Sequence, residues 1–137
     1  PECRQEVWGL YLKDSDTQEN IPAVIPAVQL FDAALRALLQ ERSMVITFES
    51  GDMIHIKLPA TRRLAEFTGI PHYLILRSCA VMEEEKLLTK AERAGMVTTD
   101  AGSRMMIGML LQRYLREAEE ILGRTILAEI IRKAGCA

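Results

Sequence analysis

The chain has 137 residues, nearly half of them apolar, and a formal net charge of −2. That length fits one domain with an adequate core, and the apolar share argues against disorder. No apolar run approaches the length of a bilayer span and no charged segment with an apolar run behind it opens the chain, so no membrane partner or secretory leader is expected.

The first residue is Pro1, without Met, so processing or trimming ahead of it is expected. Residues 1–12 contain VWGLYL, a short apolar stretch that predicts a strand or an arm packed on a partner. KDSDTQEN, residues 13–20, is a polar loop. IPAVIPAV, residues 21–28, has prolines four apart and reads as extended chain or a helix start. From about Val28 to Arg42, apolar residues recur at helical spacing: Val28, Phe31, Leu35, Leu38 and Leu39 among them. The period then changes. MVITFES and MIHIKL alternate on either side of Gly51-Asp52, which predicts a hairpin over 44–58 that Pro59 ends.

Next come two short helical stretches. The first runs from Thr61, a good N-cap, to Phe67, with Leu64 and Phe67 inward. Ala65 is small, which lets a second helix cross closely. Gly69 permits the left-handed backbone of a tight turn, and Pro71 sits at the first turn of the second helix. There Leu74, Ile75, Ser78, Cys79 and Met82 offer small or apolar groups to the core, while Pro71, His72, Tyr73, Leu76, Arg77 and Ala80 face outward. A second hairpin follows: Leu87 to Glu92, a tip at Arg93-Ala94-Gly95, and Met96 to Thr99. The rest is one long helix from about Ala101 or Ser103. Its wide apolar face includes Ile107, Leu110, Tyr114, Ala118, Ile121, Leu127 and Ile130, and Gly123 bends or divides it.

Charge is unevenly spread. Residues 1–56 hold 4 basic and 9 acidic side chains, a net of −5, whereas residues 57–104 hold 8 basic and 6 acidic, a net of +2. The positive excess coincides with the paired helices and second hairpin. Its size predicts salt-sensitive phosphate binding that dimerisation would strengthen.

Residues 60–104, from ATRRLAEFTGIPHYLILRSCAVMEEEKLL through the second hairpin to TTDAGSR, resemble the winged helix-turn-helix of GntR-type and MarR-type regulators. The resemblance carries Ala65, Gly69 four residues later, Ile75 six after that, and MEEEKLL at the end of the second helix. It covers about a third of the chain; residues 1–58 resemble no known family. It implies a mostly α fold with small β: a winged helix-turn-helix over 59–104, an N-terminal extension over 1–58 with a helix and a β-hairpin, and a C-terminal dimerisation helix over 105–137. It also implies a cytoplasmic homodimer that binds double-stranded DNA and regulates transcription without covalent chemistry, so no enzyme activity is expected. By that resemblance Arg77, Tyr73 and His72 face bases or phosphates, Arg62 and Arg63 suit phosphates, and Lys90 and Arg93 on the wing suit the minor groove or backbone.

The second helix departs from those regulators. Leu76, Ala80 and Val81 stand where polar or basic groups are frequent, and Lys86 replaces a frequent glycine. This apolar surface, with the acidic first half, supports a second expectation: a winged-helix module that binds a protein partner in a chromosome, replication or transcription complex. Other chemistry is thinly represented. His55 and His72 have no Cys or carboxylate at metal-ligand spacing, so no metal or other cofactor is expected. There is no glycine-rich phosphate loop and no serine elbow. Glu83-Glu84-Glu85 reads as a solvated run, and Met105, Met106 and Met109 as core or dimer contact. Cys3, Cys79 and Cys136 are odd in number and far apart, which fits reduced thiols, with Cys79 buried.

Overall fold

The computed structural model describes residues 24–49, 53–92 and 95–134. The expected arm over 1–12, the polar loop over 13–20 and wing-tip Arg93 lie outside the described residues. Those that are described form a mostly helical fold with two small β-ribbons. In chain order the elements are α1 (Ala27–Glu41), β1 (Ile46–Phe48), β2 (Ile54–Ile56), α2 (Thr61–Thr68), α3 (His72–Glu84), β3 (Leu88–Ala91), β4 (Gly95–Thr98), α4 (Asp100–Arg113), α5 (Leu115–Leu122) and α6 (Arg124–Ala134).

Helix α1 is the hub. Leu30, Phe31, Ala33, Ala34, Leu35, Ala37 and Leu38 are all buried, which leaves little of its surface to water. Its neighbours are α2, α3, α4 and α5. Such burial on nearly every side explains why its sequence is rich in Ala and Leu: helix-forming residues of two sizes interdigitate with several partners. Pro26 precedes it, and Arg42 ends it in the left-handed conformation, with Ser43 N–H donating to the Leu38 carbonyl.

The β1–β2 hairpin is antiparallel, with Ile46 opposite Ile56 and Phe48 opposite Ile54; the β3–β4 ribbon sets Leu88 opposite Thr98. A bridge between Lys57 and Val97, and a bond from Leu58 N–H to the Met96 carbonyl, fasten β2 to β4. The two ribbons remain separate two-stranded sheets, joined edge to edge at this bridge between β2 and β4. A buried polar clamp secures this junction. Ser103 Oγ donates to the Ile54 carbonyl at 2.6 Å, and Ile56 N–H donates to Thr98 Oγ1 at 2.8 Å. With Ser103's one hydroxyl proton so used, the 2.6 Å contact between the two side chains has Thr98 Oγ1 donating to Ser103 Oγ. The His55 ring lies across the same junction, with Nδ1 donating to the Thr98 carbonyl at 2.6 Å and Nε2 3.3 Å from a Glu49 carboxylate oxygen.

Helices α2 and α3 meet through Gly69, whose φ of 77° needs no side chain to be accommodated. Here one expectation is corrected: the N-cap of α2 is Ala60, and Thr61 is already helical. The Thr61 hydroxyl finds a tertiary partner instead, His72 Nε2 at 2.9 Å. Phe67 is only half-buried, with the Arg36 guanidinium 5.5 Å from its ring centroid.

The expected long C-terminal helix is three helices. Thr99 caps α4, accepting from Gly102 N–H at 3.1 Å and donating to the Lys86 carbonyl at 2.6 Å. Gly123, at φ 81°, divides α5 from α6. The other break, at Tyr114, has a tertiary cause. The Arg113 guanidinium and the Tyr114 hydroxyl both donate to Oδ1 of the fully buried Asp32, at 2.9 and 2.8 Å. Consecutive residues of an ideal helix point about 100° apart, and the changed backbone direction at Tyr114, with φ −135°, accompanies their convergence on one oxygen. Leu127, Ile130 and Ala134 of α6 then pack back on this chain's own core, beside α4 and β2. No described helix is long and apolar enough to cross a membrane.

Candidate nucleic-acid interface

The period of α3 sorts its residues cleanly. Leu74, Ile75, Ser78, Cys79 and Met82 are buried, and Tyr73, Leu76, Arg77 and Ala80 are exposed. The inward set anchors the helix: Ser78 Oγ accepts the Ile25 N–H at 2.8 Å, which ties the chain ahead of α1 to the middle of α3. Burial pushes the Cys79 thiol up from its ordinary 9.0 to about 11, and the Glu83 carboxylate adds to the shift. A chain carrying Cys3→Ser and Cys136→Ser should thus resist maleimide at neutral pH until denatured. The thiol's folded-state value lies above its unfolded one. Its contribution to stability is therefore full below pH 9 and disappears as pH rises toward 11, which a urea-melt series over that window checks. Immediate labelling of the native chain would contradict this placement.

The structure treats the expected site residues differently. Arg62, Arg77 and Lys90 are exposed, and none has an ion-pair partner among the described residues. Arg77 lies over the Tyr73 ring, 5.7 Å from its centroid. Arg63, by contrast, is held in a salt bridge to Glu41 of α1 and faces Glu66 at 3.6 Å, so its charge is largely neutralised. His72 is engaged with Thr61 and is half-buried. Arg93 falls outside the described residues.

Helix ends contribute as well. Neither α2 nor α3 has a side-chain N-cap bond or an acidic residue in its first turn. Among the described residues nothing offsets the partial positive charge at either N-terminus, the arrangement that suits an anion. Next to α3 runs an open groove of about 910 Å³, whose walls include Leu76, Thr61, Arg63, Met96 and Lys90. It brings Leu76 of α3, the start of α2 and the β3–β4 ribbon to one concavity with a mostly apolar floor. Lys57 lies on its border and is exposed, a cation that the sequence reading passed over. The only sequence signal for it was its place on the outward side of the alternating IHIKL. Among the described residues no group of three or more His, Cys, Asp or Glu is placed to hold a metal ion.

No protein-family model, curated protein or solved structure matches this chain.

Proposed function

We propose that this chain is a winged helix-turn-helix protein that binds double-stranded DNA as a homodimer and regulates transcription by occupying an operator in the cytoplasm. The observation that carries the reading is the outer face of α3: an exposed strip with Arg77, which has no ion-pair partner among the described residues, on a helix whose N-terminus has neither side-chain cap nor acid; Arg62 of α2 and Lys90 of β3 are exposed likewise. Each of these groups suits a phosphate or a base edge, and none is needed by the core. The exposed Leu115 of α5 and Ile126 of α6 supply apolar surface for a two-fold contact. Dimerisation doubles the number of free cations offered to DNA, which a single copy with so small a positive excess needs.

Equilibrium binding to random duplex DNA at 50 and 200 mM salt, with sequencing of the bound fraction, tests the proposal. Enrichment of a palindrome is the expected result. Replacing Arg62 and Lys90 together by Ala should flatten the dependence of log affinity on log salt by about 3 to 4 units per dimer, since each lost phosphate contact removes roughly 0.9. An unchanged slope would remove those two side chains from the interface.

One observation favours a second reading. Leu76 is 48% exposed above a mostly apolar groove. A winged-helix module that binds a protein partner would use that surface, and absence of retention on DNA at either salt would leave this reading in place.

A further inference from the structure

We propose that β1 pairs edge to edge with β1 of a second copy, antiparallel about a two-fold axis at Thr47, so that the two first hairpins join into one ribbon. This rests on the homodimer part of the reading above, gives that dimer a geometry, and does not depend on DNA. Strand β2 has β1 on one side and the bridge to β4 on the other, which makes β1 an outer strand. Lys57 N–H donates to the Val45 carbonyl and Glu49 N–H to the Met53 carbonyl, both at 3.0 Å. Bonds alternate along an antiparallel strand. Val45, Thr47 and Glu49 therefore turn their backbone groups toward β2, and Ile46 and Phe48 turn theirs away. On that outer side neither Ile46 nor Phe48 has a backbone partner among the described residues.

Such an edge is a template for another strand, and proteins blunt it with charge, proline or a bulge. Strand β3, the outer strand of the other ribbon, carries Lys90 and runs into Glu92. Strand β1, with Ile46, Thr47 and Phe48, carries none of these. Val45, Phe48 and Met53 of the same hairpin are large apolar side chains left exposed.

The edge is complementary to itself. With Thr47 on the axis, Ile46 lies opposite the partner's Phe48, and the outward backbone groups of each such pair exchange two hydrogen bonds. The side chains match as well, since an aromatic against a β-branched residue and Thr against Thr are favourable cross-strand pairs. Phe48, 42% exposed beside the buried Ile54, gains a cover. On the opposite face Val45 lies between Lys57 of its own β2 and Glu49 of the partner subunit, so opposite charges flank the seam and no like charges meet. The axis stands perpendicular to the ribbon, which puts α6 of both copies on its core side. Lys133 of α6 reaches the Phe48 ring, 6.0 Å from its centroid, and the exposed Ile126 lies seven residues earlier on the same stripe of that helix. The apolar surface of α6 thus belongs to the same contact. The paired strands are short and bury less than the roughly 1,200 Å² of a stable complex, so the dimer is concentration-dependent.

The test uses the full chain carrying Cys3→Ser and Cys136→Ser. Sedimentation equilibrium over a concentration series should show a dimer that dissociates on dilution. Thr47 is exposed, and Thr47→Lys keeps its backbone bonds to β2 while setting two like charges on the axis. It should raise the dissociation constant by about 10-fold, with melting of the dilute chain unchanged. On the axis the two Thr47 residues form a non-hydrogen-bonded pair with Cα atoms about 4.5 Å apart, within reach of a disulfide. Thr47→Cys should therefore crosslink two chains under mild oxidation. Val45→Cys, exposed on the same face, should not, because its counterpart is four positions away, about 13 Å. A dimer that tolerates Thr47→Lys and does not crosslink through Thr47→Cys would overturn the β1 pairing and leave the homodimer reading in place. Equal crosslinking by Val45→Cys would overturn the register. A monomer at every concentration would overturn both the pairing and the homodimer, whatever the chain does with DNA.

Discussion

Replacing Gly102 by Ala is expected to cost the fold about 3 kcal/mol, at the upper end of what one extra methyl group does. A Cβ at this position would overlap the Leu87 carbonyl and stand 3.3 Å from Thr98 Cβ. The first obstacle is backbone, so no rotamer change relieves it. That carbonyl is also fixed, because it accepts the Thr99 N–H at 3.1 Å where β4 leads into α4. The gain of about 1 kcal/mol that Ala brings over Gly inside a helix does not offset such a clash. Melting should fall by roughly 10 °C in a chain of this size, and the urea midpoint should drop with an unchanged slope. Gly108 of the same helix supplies the control, since a Cβ there meets nothing within 4 Å. Gly108→Ala should be neutral or stabilise by about 0.5 to 1 kcal/mol. Equal behaviour of the two variants would refute the close approach of α4 to Leu87 and Thr98.

Loss of the Arg113 charge is the second large effect. Asp32 has no exposed surface, and its Oδ1 takes a hydrogen bond from Arg113 and another from Tyr114. Breaking a buried pair by removing one partner costs about 3 to 5 kcal/mol, because the remaining charge stays desolvated. Arg113 is 38% exposed, which lets water replace part of what it supplied, so Arg113→Met should cost about 2 to 3 kcal/mol. Met keeps an unbranched apolar stem and removes only the charge. Removing both charges with Asp32→Leu and Arg113→Met should recover most of the loss, and the double-mutant cycle over urea melts measures the coupling. A single variant within about 0.5 kcal/mol of the parent would show that the pair is not a stabilising element.

Much of the candidate interface was legible in the sequence because it depends on local periodicity. The inward and outward residues of α3, the turn at Gly69 and the strand pairs β1–β2 and β3–β4 all follow from period and turn chemistry acting over a few residues. The misses have distant causes. Thr61 has the chemistry of an N-cap, but a histidine on the next helix took its hydroxyl. The break at Tyr114 depends on a carboxylate on α1 that no local pattern announces. Arg63 reads as a free cation until the fold brings Glu41 to it from the end of α1. From sequence alone the apolar breadth of the C-terminal segment reads in part as a contact with a second subunit. Much of it is met within this chain, by α4 and β2, because two breaks let the segment fold back.

That fold-back sets an order of assembly. Ile54 and Ile56 of β2 are fully buried, yet the elements that cover them, β4, α4 and α6, all come much later in the chain. As synthesis proceeds from the N-terminus, α1 and the α2–α3 pair emerge while one side of the hairpin floor has nothing to rest on. Closure waits for the last helix, so native contacts of high sequence separation form late and the open floor is exposed meanwhile. A nascent chain halted before Arg124 would present the helices proposed to bind DNA together with an uncovered apolar strip. That strip is covered only once α6 has emerged and packed on β2.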